Sequence, residues 1–150
     1  MSHLGRSLVL RFDGSVRYGP DNATPKAAAI GYVVVESDPL LEGSRELSTF
    51  VSSTHVEFRA LVAGVHAVTA LREHDRVSGV HVRGDAAAVI DTVDPDRRSA
   101  VHDNICQRRA KRIQKALSPI PTVTYRCVGR AENERAHELA TRAYKPTHDG

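Results

Sequence analysis

Asp13 closes an apolar run, Ser7–Asp13, in which Leu8, Leu10 and Phe12 alternate with Val9 and Arg11, and Asp85 follows a second, Val80–Gly84. Carboxylates at the ends of apolar strands lie where ligands approach α/β sheets, although aspartate also serves as an ordinary turn or helix-cap residue. Glu57 is harder to read as bland. It falls in the first turn of an apolar helix, where negative charge meets the dipole well. At about 100° per residue, however, it shares a face with Ala60, Leu61, Gly64 and Val68. A lone carboxylate on that inward face is costly unless a cation compensates it. Three such acids converging suit Mg²⁺ or Mn²⁺, and paired ions stabilise both the attacking and the leaving oxygen in phosphodiester cleavage. No Cys/His zinc spacing, Walker loop or Gly-x-Ser-x-Gly elbow competes.

The elements that must position these acids follow from periodicity. Ser7–Asp13, Ala27–Glu36 and Arg45–Val51 read as strands. Asp13-Gly14-Ser15, the stretch Gly19–Pro25 and Glu42-Gly43-Ser44 read as turns, so the three strands form an antiparallel meander. A helix capped by Ser53 or Thr54 spans about His55–Arg72. Val80–Gly84 is a strand, and Ala86–Val93 a short helix halted before Pro95. Ser99–Leu117 is a helix with Cys106, Ala110, Ile113 and Leu117 on one face and Arg108, Lys111, Arg112 and Lys115 on the other. Thr122–Val128 is a fifth strand, and Asn133–Tyr144 a closing helix. The order β-β-β-α-β-α-α-β-α predicts an α/β fold: a five-stranded mixed sheet, a three-strand meander plus two further strands, flanked by helices.

The 150 residues, 41% hydrophobic and 26% charged, suit one globular domain, 1–150, with flexible ends at about 1–6 and 146–150. No apolar run is long enough to span a membrane and the start carries no secretory signal, so a cytoplasmic, monomeric protein is expected. Cys106 and Cys127 make no disulfide framework. The net charge of +3 is unevenly spread: Arg97–Lys145 holds twelve Arg and Lys against four Asp and Glu, and the remainder nine against fourteen. A basic third beside an acidic remainder suits a polyanion-binding face, or a merely solvated helix. His3, His66, His81 and His148 read as non-functional, and Tyr18 and Phe58 as loop or core.

With these residues in this order, the chain resembles type 1 ribonuclease H over nearly its whole length. The family's first strand carries Asp-Gly-Ser, here Asp13-Gly14-Ser15. Its first helix opens on a Thr-Asn-Asn-x-Ala-Glu-like segment, matched loosely by Ser52–Glu57, and its fourth strand ends in a residue pair matched by Gly84-Asp85. Its last helix carries Asn-x-x-Ala-Asp-x-Leu-Ala, here Asn133-Glu-Arg-Ala-His137-Glu-Leu-Ala140. The resemblance implies two-metal endonucleolytic hydrolysis of the RNA strand of RNA–DNA hybrids, leaving 5′-phosphomonoesters. In that scheme Asp13, Glu57, Asp85 and His137 hold Mg²⁺ or Mn²⁺. Ser15, Ser53, Thr54, Arg130 and Asn133, with the basic face Arg108, Lys111, Arg112 and Lys115, contact the nucleic acid.

The chain departs from the family pattern at three places. His137 stands where the family has a fourth aspartate; imidazole suits Mn²⁺ better than Mg²⁺, which implies a manganese bias. Glu134, one turn earlier, is an alternative ligand, and a catalytically weakened binding module is the alternative for the whole chain. Ser53, Thr54, Ala86 and Ala87 replace polar hybrid-reading positions, which leaves double-stranded RNA open as a substrate. The segment Cys127–Asn133 before the last helix holds no histidine, where many family members carry one; Arg130 either contacts a phosphate there or pairs with a glutamate of that helix.

Overall fold

Strand β1 (Arg6–Tyr18) outruns its apolar alternation. Asp13, Gly14 and Ser15, expected in a turn, remain paired with Gly31, Ile30 and Ala29 of β2 (Pro25–Val35). The backbone ladder thus continues where the side-chain pattern changes, and Asp13 sits inside a strand rather than at its end. The computed structural model describes residues 5–21, 25–49, 52–97 and 103–144. Of the ends expected to be flexible, 1–4 and 146–150 lie outside the described residues, whereas Arg6 is paired opposite Val77 at the start of β1.

The third strand, β3, is Pro39–Leu47 rather than Arg45–Val51. Glu42-Gly43-Ser44 is not a turn but lies opposite Val33, Tyr32 and Gly31. As an edge strand exposed along most of its length, β3 lacks the apolar alternation that would reveal it. Helix α1 (Ser53–Arg72) is capped by Ser52, whose hydroxyl accepts from the His55 amide, one residue before the expected cap. β4 (Val77–Gly84), α2 (Ala87–Val93), α3 (Asn104–Leu117) and β5 (Thr122–Cys127) follow. Asp103 caps α3 by accepting from the Ile105 and Cys106 amides; residues 99–102 of the expected helix lie outside the described residues. A 3-10 turn, Arg130–Asn133, leads into α4 (Glu134–Arg142).

The sheet order is β3-β2-β1-β4-β5, antiparallel within β1–β3 and parallel for β1–β4 and β4–β5, which is the expected five-stranded mixed sheet. Leu8, Leu10, Phe12, Ile30, Val80 and Val82 bury one sheet face against α1 and α3, whose Cys106, Ala110, Ile113 and Leu117 turn inward as the periodicity predicts. On α3 the opposite face, with Arg108, Lys111, Arg112 and Lys115, is exposed. Helix α4 crosses β2 so closely at Gly31 that an added Cβ would lie 2.5 Å from the Ala136 carbonyl oxygen. Only a residue without a side chain admits that backbone-to-backbone approach. Among the described residues no helix is long and apolar enough to cross a membrane.

Candidate metal centre

Four elements meet beside the middle of the sheet. β1 supplies Asp13, the first turn of α1 supplies Glu57, and the residue after β4 is Asp85. Each of the three offers a carboxylate oxygen, and these oxygens lie within 4.8 Å of one another. From α4, His137 presents Nδ1 to Asp13 Oδ2 at 2.8 Å. The sequence expectation that Glu57 points inward holds, because Val56, Ala60, Leu61 and Gly64 around it are buried against the sheet.

Gly14 makes the approach of α1 possible. Its amide donates to Glu57 Oε1, and an added Cβ there would lie 2.6 Å from that oxygen. The Asp-Gly pair, read from sequence as turn chemistry, is instead a strand segment kept clear for a carboxylate. Nothing in the spacing distinguishes the two.

Burial dominates the electrostatics. It pushes Glu57 up to about 8, reinforced by the Asp13 charge and opposed by the Gly14 amide. It also pushes Asp13 up to about 6, against the lowering effect of the His137 contact and with the help of Asp85. Three carboxylates this close cannot all ionise without cationic compensation. Among the described residues Arg130 supplies part of it. Its Nε donates to Asp85 Oδ2 at 2.8 Å and its Nη1 lies 3.2 Å from His137 Nδ1. The Asp85 hydrogen bond raises the affinity of Arg130 for its proton. Arg130 therefore bridges two candidate ligands, a partner set that neither sequence alternative anticipated.

The donor set fits a hard divalent cation: three carboxylates contribute oxygens only, and the neighbouring imidazole nitrogen is tolerated by Mn²⁺ more readily than by Mg²⁺. Glu134 is exposed and stands outside the triad.

Beside the triad runs a groove of about 410 Å³ bordered by Gly14, Val16, Ser53, Thr54, Glu57 and Ala87. Ser53 and Thr54 thus lie at the edge of the candidate site. Ser15 Oγ accepts a hydrogen bond from the Tyr144 hydroxyl at 3.0 Å. Asn133 is a correction. Expected among the nucleic-acid contacts, it is completely buried and its Nδ2 donates to the Phe12 carbonyl at 2.9 Å, so it ties the start of α4 to β1 next to Asp13. A motif asparagine that braces the backbone carries the same sequence signal as one that reads substrate.

A second cluster was not singled out from sequence. His55, Asp103 and Cys106 bring ligand-type atoms within 4.8 Å of one another, with His55 Nε2 3.3 Å from Asp103 Oδ2. The three are spread over α1 and the start of α3, so only the tertiary fold unites them.

The family described as reverse transcriptase-like matches residues 11–143. Among solved structures, RNase H1 from the halophilic archaeon Halobacterium salinarum is 25% identical, with 91% of this chain and 96% of that one aligned and a TM-score of 0.76. The N-terminal RNase H domain of a Mycobacterium tuberculosis protein, solved as a fusion with maltose-binding protein, is 24% identical over 92% of this chain and 93% of that one, with a TM-score of 0.78. LC11-RNase H1, isolated from compost by a metagenomic approach and solved in complex with an RNA/DNA hybrid, is 19% identical over 91% and 96%, with a TM-score of 0.77. The last two likenesses establish the fold. No curated protein matches the chain by sequence.

Proposed function

The chain belongs to the reverse transcriptase-like family and has an RNase H-like fold, and from that premise we propose that it is a metal-dependent endonuclease hydrolysing the RNA strand of RNA–DNA hybrids. The observation that carries this reading is the triad Asp13, Glu57 and Asp85, three converging carboxylates that burial leaves short of counter-charge. Asp13, Glu57 and Asp85 would hold the ions, with His137 beside Asp13. Divalent ions held there supply an acidified water and neutralise charge on the leaving oxygen.

The protein's own contribution is positional. Gly14 fixes one Glu57 oxygen through its amide. His137 holds Asp13 by one oxygen. Arg130 is exposed enough to exchange Asp85 for a phosphate oxygen once divalent charge reaches the carboxylates, which gives it a substrate-clamping role. Ser53 and Thr54 border the groove in which the RNA backbone would lie, where selectivity for RNA rests on its 2′-hydroxyls. The exposed Arg108, Lys111, Arg112 and Lys115 offer phosphate contacts to the DNA strand.

A second reading, a nucleic-acid-binding module with weakened turnover, draws on the same Arg130. Its 2.8 Å ion pair occupies a ligand oxygen of Asp85, and His137 replaces a carboxylate. Incubating the protein with end-labelled hybrid in Mg²⁺ or Mn²⁺, beside Asp13→Asn, separates the two. RNA-strand cleavage that vanishes in the variant supports the nuclease; binding without cleavage in either metal leaves the module.

A further inference from the structure

Arginines from three elements converge on the outer side of α1. Arg45 comes from β3, Arg59 from α1, and Arg109 and Arg112 from α3; with His66 they surround an open groove of about 270 Å³. At 3.6 residues per turn, Arg59 and His66 lie roughly 180–200° round α1 from Glu57. The groove is therefore separate from the carboxylate site.

Among the described residues, none of the ion pairs involves Arg45, Arg59, Arg109 or Arg112. Arg59 Nη1 donates to the Thr49 carbonyl at 2.5 Å. Arg109 Nη1 is buried and has no hydrogen-bond partner. Burial first, and then the charges of Arg109 and Arg45, lower the affinity of Arg59 for its proton. A guanidinium does not deprotonate near neutral pH, so this crowding is relieved only by solvent or by a bound anion.

The arrangement also selects the anion. A single guanidinium fork matches a planar carboxylate. Forks arriving from a strand and two helices surround their guest, which suits a tetrahedral anion with oxygens on every side. We propose that this groove is a second anion site that takes a phosphate group, either a phosphodiester of a nucleic-acid chain or a free phosphate compound.

The test is thermal unfolding in EDTA, in inorganic phosphate and in chloride at matched ionic strength, for the wild type and for Arg59→Gln/Arg109→Gln. Binding of phosphate to the folded state alone should raise the wild-type Tm by about 3–5 °C at roughly ten times Kd, and the double variant should lose that rise. Arg45→Gln, on an exposed edge strand, serves as a single-site check if circular dichroism finds the double variant misfolded. A wild type without a phosphate-specific rise overturns the site, and so does a rise that survives removal of the arginines. Salt titration of single-stranded oligonucleotide binding then identifies the source of the phosphate. A shallower slope in the double variant indicates a nucleic-acid backbone, and an unchanged slope with the phosphate response lost indicates a free phosphate compound. The phosphate response is expected to persist in Asp13→Asn, so failure of this site and failure of the nuclease reading are separate results.

Discussion

Helix α1 carries two clusters of like charge on opposite faces, Glu57 among carboxylates and Arg59 among arginines, and the two relieve their internal repulsion in different ways. In the acidic cluster Asp13 is only 1% exposed, and burial favours the protonated carboxyls, lifting Glu57 to about 8 and Asp13 to about 6. Guanidinium groups have no such recourse. The basic cluster accordingly lines an open groove, with Arg45 and Arg112 exposed to water. A carboxylate cluster relieves its charge by taking up protons, whereas an arginine cluster depends on water or a bound anion. The acidic corner should therefore respond to pH and to metals, and the basic groove to salt and to phosphate.

The largest effect expected is on turnover. Asp13→Asn should reduce hybrid cleavage by on the order of a thousandfold, measured as initial rates on labelled hybrid; retention of most of the rate would remove the acidic corner from the chemistry. His137→Asp should follow, shifting the ratio of Mg²⁺ to Mn²⁺ rates toward magnesium by about tenfold. An unchanged ratio would make His137 a brace for Asp13 rather than a ligand.

Third is the stability signature of the acids. Their folded pKa values exceed the unfolded ones, so the folded state binds more protons between roughly pH 4 and pH 8. The stability they contribute is full below the unfolded values and is lost as pH rises through about 6 for Asp13 and about 8 for Glu57. In EDTA the Tm should fall across that window, and added Mn²⁺ should restore it. Glu57→Gln should flatten the upper part of the fall and raise the metal-free Tm at pH 8 while abolishing cleavage, a trade of function for stability. A Glu57→Gln protein less stable than the wild type at pH 8 would break the contrast. The smallest effect belongs to α3: Arg108→Gln/Lys111→Gln should make the log–log salt dependence of hybrid binding shallower by about 1–2, with little change in cleavage at saturating substrate.

Sequence legibility divides along physical lines. The order of elements and the inward stripe of α3 were readable because apolar periodicity is local and strong there. β3 was displaced because an exposed edge strand has no buried face to impose alternation. The triad was readable from residue types, since carboxylates at Asp13, Glu57 and Asp85 are costly unless they do something. What holds the triad was not. The Gly14 amide on Glu57, the Asn133 amide on the Phe12 carbonyl and the Arg130 bridge between Asp85 and His137 join residues 43, 121, 45 and 7 positions apart. None has a periodic signature, and the sequence reads Asn133 as a substrate contact because a polar residue in a motif looks alike whether it faces inward or outward.

The close seat of α4 on Gly31 bears on how genetic variation in this chain would be scored. Replacing Gly31 by alanine removes no ligand and touches no substrate, yet it pushes aside the helix that delivers His137 to Asp13. A mutational scan read out by cleavage alone would rank Gly31 with the acids. Read out by abundance as well, it would move Gly31 into the structural class and leave Asp13 where it stands.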